Sequence, residues 1–197
     1  MAISQLMLKR VHKSGVAGKK FRFAIVASRY NVRYVDAMVR AAKAELKAAG
    51  AEVVRFVRVP GAFEIPVVAS RLARGAGGDC DAIICLGLIL RGETTHAQHI
   101  GEAVTQALAQ LQLALGVPII HEVLLLENEQ QARARCLDTR FNRGQEAART
   151  AIEMAKVMKE LSSVESKACQ DALKTMAARQ QKRLESRGKL GARLPRR

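Results

Sequence analysis

The residues best able to do chemistry come in short clusters. Arg91-Gly92-Glu93-Thr94-Thr95-His96 sets a glycine, two hydroxyls and an imidazole within one turn-sized stretch. Gly92 lets a ligand approach the backbone closely. If a helix begins at His96, the free N–H groups and positive dipole end of its first turn favour an anion. That position also disfavours an imidazolium, and a neutral ring beside an anion seat can move protons. Equally, Thr95 only caps the helix and His96 is a surface residue.

Phe63-Glu64 puts an aromatic face beside a carboxylate. The same pair also suits a helix start, with Phe63 as apolar staple and Glu64 as dipole partner. Tyr30, in Ser28-Arg29-Tyr30-Asn31, can stack on a planar ligand or pack on a sheet edge. Arg135 falls near the end of a short helix, where a dipole partner is a common role. His96 and His99 have a spacing that permits metal binding, but no third ligand accompanies them, so proton transfer is the stronger reading. No Gly-x-Gly-x-x-Gly and no Gly-x-x-x-x-Gly-Lys-Ser/Thr is present, which excludes the dinucleotide and Walker-type motifs.

These clusters need elements to position them. Phe21 to Ser28 is a compact β-type run, and Val35, Met38, Ala42, Leu46 and Ala49 share one helical face that Gly50 ends. Ala51 to Val59 alternates and is rich in β-branched residues, Pro60-Gly61 marks a turn, and a helix follows over about 63–73 with Pro66 in its first turn. Gly75, Gly77 and Gly78 mark a loop. Asp81 to Leu90 is apolar on both faces, as a central parallel strand should be. A helix over 96–115, a strand over 118–126 and a helix over 127–135 come next. After a break at 136–142, a last helix runs from near Arg143 to about Leu161. Alternating strands and helices imply a parallel sheet covered on both faces, which binds ligands at the carboxyl ends of its strands. Functional residues then fall just after Ser28, Val59, Leu90 and Leu126, where the clusters stand.

The chain has 197 residues, 49% of them hydrophobic, enough for one compact domain plus an appendage. The longest apolar run, Ala82 to Leu90, falls well short of the ~20 residues of a membrane-spanning helix. The opening MAISQLMLKR has no apolar signal-peptide core, so a cytoplasmic location is expected. Cys80, Cys85, Cys136 and Cys169 are too sparse for a disulfide framework and read as free thiols, with Cys85 in the core. Of the net charge of +15, a net +7 falls within residues 161–197. The tail SRGKLGARLPRR reads as a solvated arm that could touch RNA, DNA or an anionic membrane through salt-sensitive contacts, or serve only for solubility. The chain thus divides into a lead-in (1–20), an α/β domain (21–161) and a basic extension (162–197), partly helical or disordered.

Taken together, SRYN (28–31), VPGAFEIP (59–66), GLILRGETTHAQHI (87–100), LLLENEQQARAR (124–135) and FNRGQEAA (141–148) resemble the 6,7-dimethyl-8-ribityllumazine synthases of riboflavin biosynthesis. The similarity spans about 21–161 and leaves out the basic tail. It implies a three-layer α/β/α sandwich of flavodoxin-like type with a four-stranded parallel sheet, and an N-terminal strand added to a neighbouring subunit. It implies a transferase without cofactor or metal, condensing 5-amino-6-(D-ribitylamino)uracil with 3,4-dihydroxy-2-butanone 4-phosphate and releasing phosphate and water.

By the same resemblance His96 transfers protons. Tyr30, Ala62, Phe63, Glu64, Leu88, Ile89, Leu90 and His121 hold the pyrimidine and ribityl chain, and Glu93, Thr94 and Arg135 hold the phosphate. Family members form pentamers, some packed into icosahedral 60-subunit shells, with sites shared between subunits. Arg135 and His121 would then face the Phe63 and His96 region of another subunit. Three positions depart from the family pattern. His121 replaces an aromatic, commonly Phe; Leu125-Leu126 replace paired threonines; Arg143 replaces a lysine.

A second reading is a non-catalytic shell or flavin-binding homologue, favoured by His121 and opposed by the joint presence of His96, Arg135 and Glu64. A third is a nucleic-acid-binding module using the C-terminal arm, whose lack of Phe, Tyr or Trp gives no support to base stacking.

Overall fold

The structure, a computed structural model, describes residues 21–75 and 80–191. The lead-in with its expected exchanged strand, the loop glycines Gly77 and Gly78, and residues 192–197 lie outside the described residues. The elements run β1 (Arg22–Ser28), α1 (Val32–Ala48), β2 (Glu52–Val59), α2 (Ile65–Ala73), β3 (Ala82–Leu90) and α3 (His96–Leu115). Then come β4 (Ile119–Leu126), α4 (Glu129–Ala132), a π-helical turn (Arg133–Leu137) and α5 (Arg143–Gly191). All pairings are parallel, in the order β2-β1-β3-β4, so the α/β class with a four-stranded parallel sheet is as expected.

Successive strand residues point to opposite faces, and each face builds its own core. On one face Phe23, Ile25, Leu86 and Leu88 pack against Val35 and Met38 of α1, Cys136 of the π turn, and Ala147, Ala151 and Ile152 of α5. On the other, Ala24, Val26, Ile83 and Cys85 pack against Ile65 and Ala69 of α2 and Val104 and Leu108 of α3. Because α1 and α2 cover opposite faces, the strand order reverses between β1 and β3. The carboxyl ends of those strands form the switch point where open α/β sheets bind ligands.

Two local features hold the α1 side together. A Cβ on Gly144 would lie 2.0 Å from the Met38 carbonyl oxygen, so only glycine lets α5 cross α1 this closely. Arg149 Nε pairs with Glu45 Oε1 at 2.9 Å, both side chains being largely buried, and Gln145 adds a bond to the same carboxylate at 2.8 Å.

Three boundaries differ from expectation. The second helix begins at Ile65, since residues 60–64 are taken up by a turn. The stretch expected as one helix over 127–135 is a single α turn followed by a π turn. Asn128 caps it by accepting from Gln131 N–H at 3.0 Å, Asp138 N–H reaches back five residues to the Arg133 carbonyl, and the Asn142 side chain takes the Cys136 carbonyl. The last helix reaches Gly191 rather than Leu161. Lys, Arg, Gln, Ala and Leu dominate its distal part, all good helix formers, and no proline interrupts it before Pro195. Residues up to Ala155 form one compact unit and those from Lys156 a second.

Candidate active site

The rim of the sheet at the switch point is held by backbone and side-chain ties. Asn31 adopts φ 54° and ψ 41°, the left-handed region that asparagine tolerates better than most residues. Its Nδ2 donates to the Leu88 carbonyl at 2.9 Å, clamping the end of β1 to the end of β3. Arg29 N–H donates to the Val59 carbonyl at 2.8 Å and Tyr30 N–H to the Pro60 carbonyl at 3.2 Å, which ties in β2. Asn31 received no role from the sequence; an asparagine just past a strand end was the available signal.

These ties present side chains to solvent. The Tyr30 ring lies against Gly61, where an added Cβ would come within 3.2 Å of it. Gly61 N–H donates to Glu64 Oε2 at 2.8 Å, which fixes the carboxylate beside the ring. Ala62 is buried beneath, while Tyr30 is 72% and Phe63 61% exposed. Tyr30 therefore does not pack on a sheet edge, and Phe63 does not act as a buried staple. Two exposed aromatic surfaces and a half-buried carboxylate stand at the same rim, a set suited to a flat ring bearing hydroxyl groups. Leu88 is buried, and Ile89 and Leu90 are half-buried at the same rim.

The turn after β3 is tied to β4. Arg91 N–H donates to the Leu126 carbonyl at 2.8 Å, and Arg91 Nε pairs with Glu127 Oε2 at 2.9 Å. Glu93, Thr94 and His96 are exposed. Thr95 makes no side-chain cap, against that expectation; Thr94 Oγ1 accepts from His96 N–H instead, at a long 3.4 Å. The start of α3 is thus weakly capped and well disposed toward an anion. A Cβ on Gly92 would meet nothing within 4 Å, so the chain's own packing does not demand glycine there.

Arg135 and His121 lie elsewhere. Arg135 is exposed on the π turn, which belongs to the α1/α5 side, whereas His96 opens α3 on the opposite side. Within one chain the two do not meet. His121 sits near the start of β4, five residues and ~17 Å before its carboxyl end. Its Nε2 is 3.0 Å from Thr105 Oγ1, and that hydroxyl donates to the Gly101 carbonyl at 2.8 Å. The hydroxyl's single proton being committed, His121 Nε2 donates the hydrogen of this bond. Burial lowers the His121 pKa, against a backbone hydrogen bond that raises it.

The neighbouring Glu122 is pushed up to about 7 by burial, against the attraction of Arg143 and Arg135. A groove of about 510 Å³ between α3 and β4 is lined by Arg91, Gln98, Gly101, Glu102, Thr105 and Leu125, among others, but not by Tyr30, Phe63 or His96. Among the described residues no cluster of three His, Cys, Asp or Glu is placed to hold a metal ion, and no helix is long and apolar enough to cross a membrane.

The family model described as 6,7-dimethyl-8-ribityllumazine synthase matches residues 20–159. A 6,7-dimethyl-8-ribityllumazine synthase of Xanthomonas campestris pv. campestris (strain B100) is 41% identical over 139 residues, 70% of this chain and 89% of the relative. One of Stenotrophomonas maltophilia (strain R551-3) is 41% identical over 142 residues, 71% of this chain and 90% of the relative. The match takes in the whole sheet and every candidate residue at its rim and on β4, and on that footing the chain belongs to the 6,7-dimethyl-8-ribityllumazine synthase family.

Proposed function

We propose that the chain condenses 5-amino-6-(D-ribitylamino)uracil with 3,4-dihydroxy-2-butanone 4-phosphate, as the lumazine-forming transferase of riboflavin biosynthesis. The observation that carries the residue roles is the rim itself: exposed Tyr30 and Phe63 stand with half-buried Glu64 at the switch point, and the weakly capped start of α3 opens on the same end of the sheet. Tyr30 and Phe63 flank the pyrimidine over Ala62, and the rim backbone at Leu88, Ile89 and Leu90 borders its edge. The Leu88 carbonyl already accepts from Asn31, so Ile89 and Leu90 are the freer partners there. Glu64 keeps one oxygen on Gly61 and turns its remaining acceptor capacity to ribityl hydroxyls.

The phosphate sits against Glu93 and Thr94 at the start of α3, completed by Arg135. The substrate amine attacks the ketone, water leaves to give an imine, phosphate is eliminated, and the second amine closes the ring with loss of water. His96 carries protons between these steps, a contribution of ~10²–10⁴-fold. Much of the remaining acceleration comes from holding two reactants together.

One chain places Arg135 and His121 away from His96, so each site takes its rim from one subunit and Arg135 and His121 from the next. The assembly is then a closed homo-oligomer, a pentamer alone or within a 60-subunit shell. The exposed Tyr30, Phe63 and Val67 support this, as apolar surface a lone chain leaves open. Free thiols at Cys85 and Cys136 suit a reducing cytoplasm. His121 favours one alternative, a flavin- or lumazine-binding shell protein, because an imidazole locked by Thr105 is a poorer stacking face than phenylalanine.

Mixing the purified chain with both substrates tests the reading: lumazine absorbance should grow with release of phosphate, and a shell protein would give none. A mixed assembly of His96→Ala and Arg135→Ala chains separates shared from private sites. Sharing restores roughly a quarter of the sites in random rings; no recovery in verified mixed rings would place both residues in one subunit's site.

A further inference from the structure

The family match stops at residue 159, yet α5 continues to Gly191. The continuation spans about 45–50 Å at ~1.5 Å per residue. Its charge is concentrated distally. From Lys174 to Gly191 there are six Lys or Arg and one acid, Glu185. At ~100° per residue, the positions of Arg179, Lys182, Arg183, Arg187 and Lys189 fall within one half of the helix circumference, and Glu185 falls outside it.

Two other occupants fit this segment less well. Val157, Leu161 and Val164 are exposed and begin a heptad-like stripe, but after Ala168 the following seam positions are Asp171 and Thr175. A coiled coil with a second copy needs such a seam over three to four heptads or more. A lipid interface needs apolar surface and usually aromatic anchors. No Phe, Tyr or Trp follows Phe141, and residues 177–191 contain only Leu184 and Leu190 as large apolar residues.

We propose that the distal part of α5 is a binding arm for double-stranded nucleic acid, held by the phosphate backbone through Arg179, Lys182, Arg183, Arg187 and Lys189. A helix offers cations at regular intervals, which suits the regular phosphates of a duplex. With no aromatic side chain to stack on a base, the arm takes no account of base sequence. The proposal is independent of the condensation chemistry, since none of the five residues belongs to the candidate site.

Five phosphate contacts predict a log–log salt slope of about −4.5, so affinity should fall on the order of 10²–10³-fold between about 50 and 200 mM salt. The test uses the full chain in its native assembly. Fluorescence anisotropy is recorded with DNA and RNA duplexes of about 30 base pairs, two unrelated sequences of each, beside vesicles containing phosphatidylserine. A second protein carries Arg179→Gln, Lys182→Gln, Arg183→Gln, Arg187→Gln and Lys189→Gln, with circular dichroism to verify that the helix persists, glutamine being a good helix former.

The expected result is similar affinity for both sequences of at least one duplex type, the steep salt slope, and about a 100-fold or greater loss in the variant at low salt with lumazine formation unchanged. The duplex type bound tells the DNA source from the RNA source. Any of three results overturns the proposal: no duplex bound by the wild-type chain at low salt, a helical variant binding within about threefold of wild type, or tighter binding to the vesicles than to either duplex.

Discussion

On the α1/α5 face of the sheet the chain is closed. Gly144 brings α5 against the Met38 carbonyl, Glu45 and Arg149 form a largely buried ion pair, and Asn142 ends the π turn on Cys136. At the carboxyl rim on the α2/α3 side the chain is open. Tyr30 and Phe63 face solvent, and the start of α3 has only a long bond from Thr94. The first region spends its polar groups on one another. The second leaves them facing outward, where a ligand or a neighbouring subunit can use them. A site built on the open rim therefore inherits its rigidity from the closed face, and above all from the clamp between Asn31 and Leu88.

The sharpest way to test this contrast is to damage the closed face alone. Gly144→Ala drives a methyl into backbone and should cost about 3 kcal/mol in a urea unfolding experiment. A loss below about 1 kcal/mol would mean that α5 yields easily and that this face is not the rigid one. On the open side, His96→Ala should leave the fold intact and lower kcat by ~10²-fold or more. An unchanged kcat removes His96 from proton transfer. Arg135→Ala should raise KM for the phosphorylated ketone by roughly 10–100-fold, from the loss of about 1.5–3 kcal/mol of charge-assisted bonding, with much less effect on the pyrimidine. An equal rise for both substrates would detach Arg135 from the phosphate.

Glu122, on β4 within the field of Arg143 and Arg135, gives a pH signature. Its carboxyl holds its proton to about pH 7 in the fold, against an ordinary value of 4.5. The folded chain thus binds more protons than the unfolded chain across that window, and stability falls as pH rises through it. Glu122→Gln should stabilise by about 1–2 kcal/mol at pH 8 and by nothing near pH 4; a gain independent of pH would refute the titration. The smallest effect is expected from His121→Phe, which restores a stacking face and should lower KM for the pyrimidine a few-fold, by about 1 kcal/mol. A weaker pyrimidine would show instead that the imidazole makes a polar contact to it.

Much of the scaffold was legible because short-range patterns set it. The apolar run from Ala82 to Leu90 is a central strand, and His96 to Leu115 is a helix with the bounds its periodicity suggested. The continuation of the Pro60-Gly61 turn to residue 64, the π turn and the capping at Thr94 were not legible. Each depends on a hydrogen bond whose partner is chosen by local geometry: Gly61 with Glu64, Asn142 with Cys136, His96 with Thr94. The helical course of the basic extension was half legible: its charge suggests a solvated arm, partly helical or disordered, whereas lysine, arginine and glutamine favour helix over its whole length.

The sequence by itself determined which residue types stand at the strand ends, and so the family and the rim chemistry. Periodicity is a local property, and a parallel sheet sends its strand ends to one edge whatever its strand order. Only the tertiary structure decided that β1 and β3 are neighbours, that Asn31 joins them, and that His96 and Arg135 fall on opposite faces. Strand order and facing arise from contacts between residues distant along the chain, and no spacing along it records them.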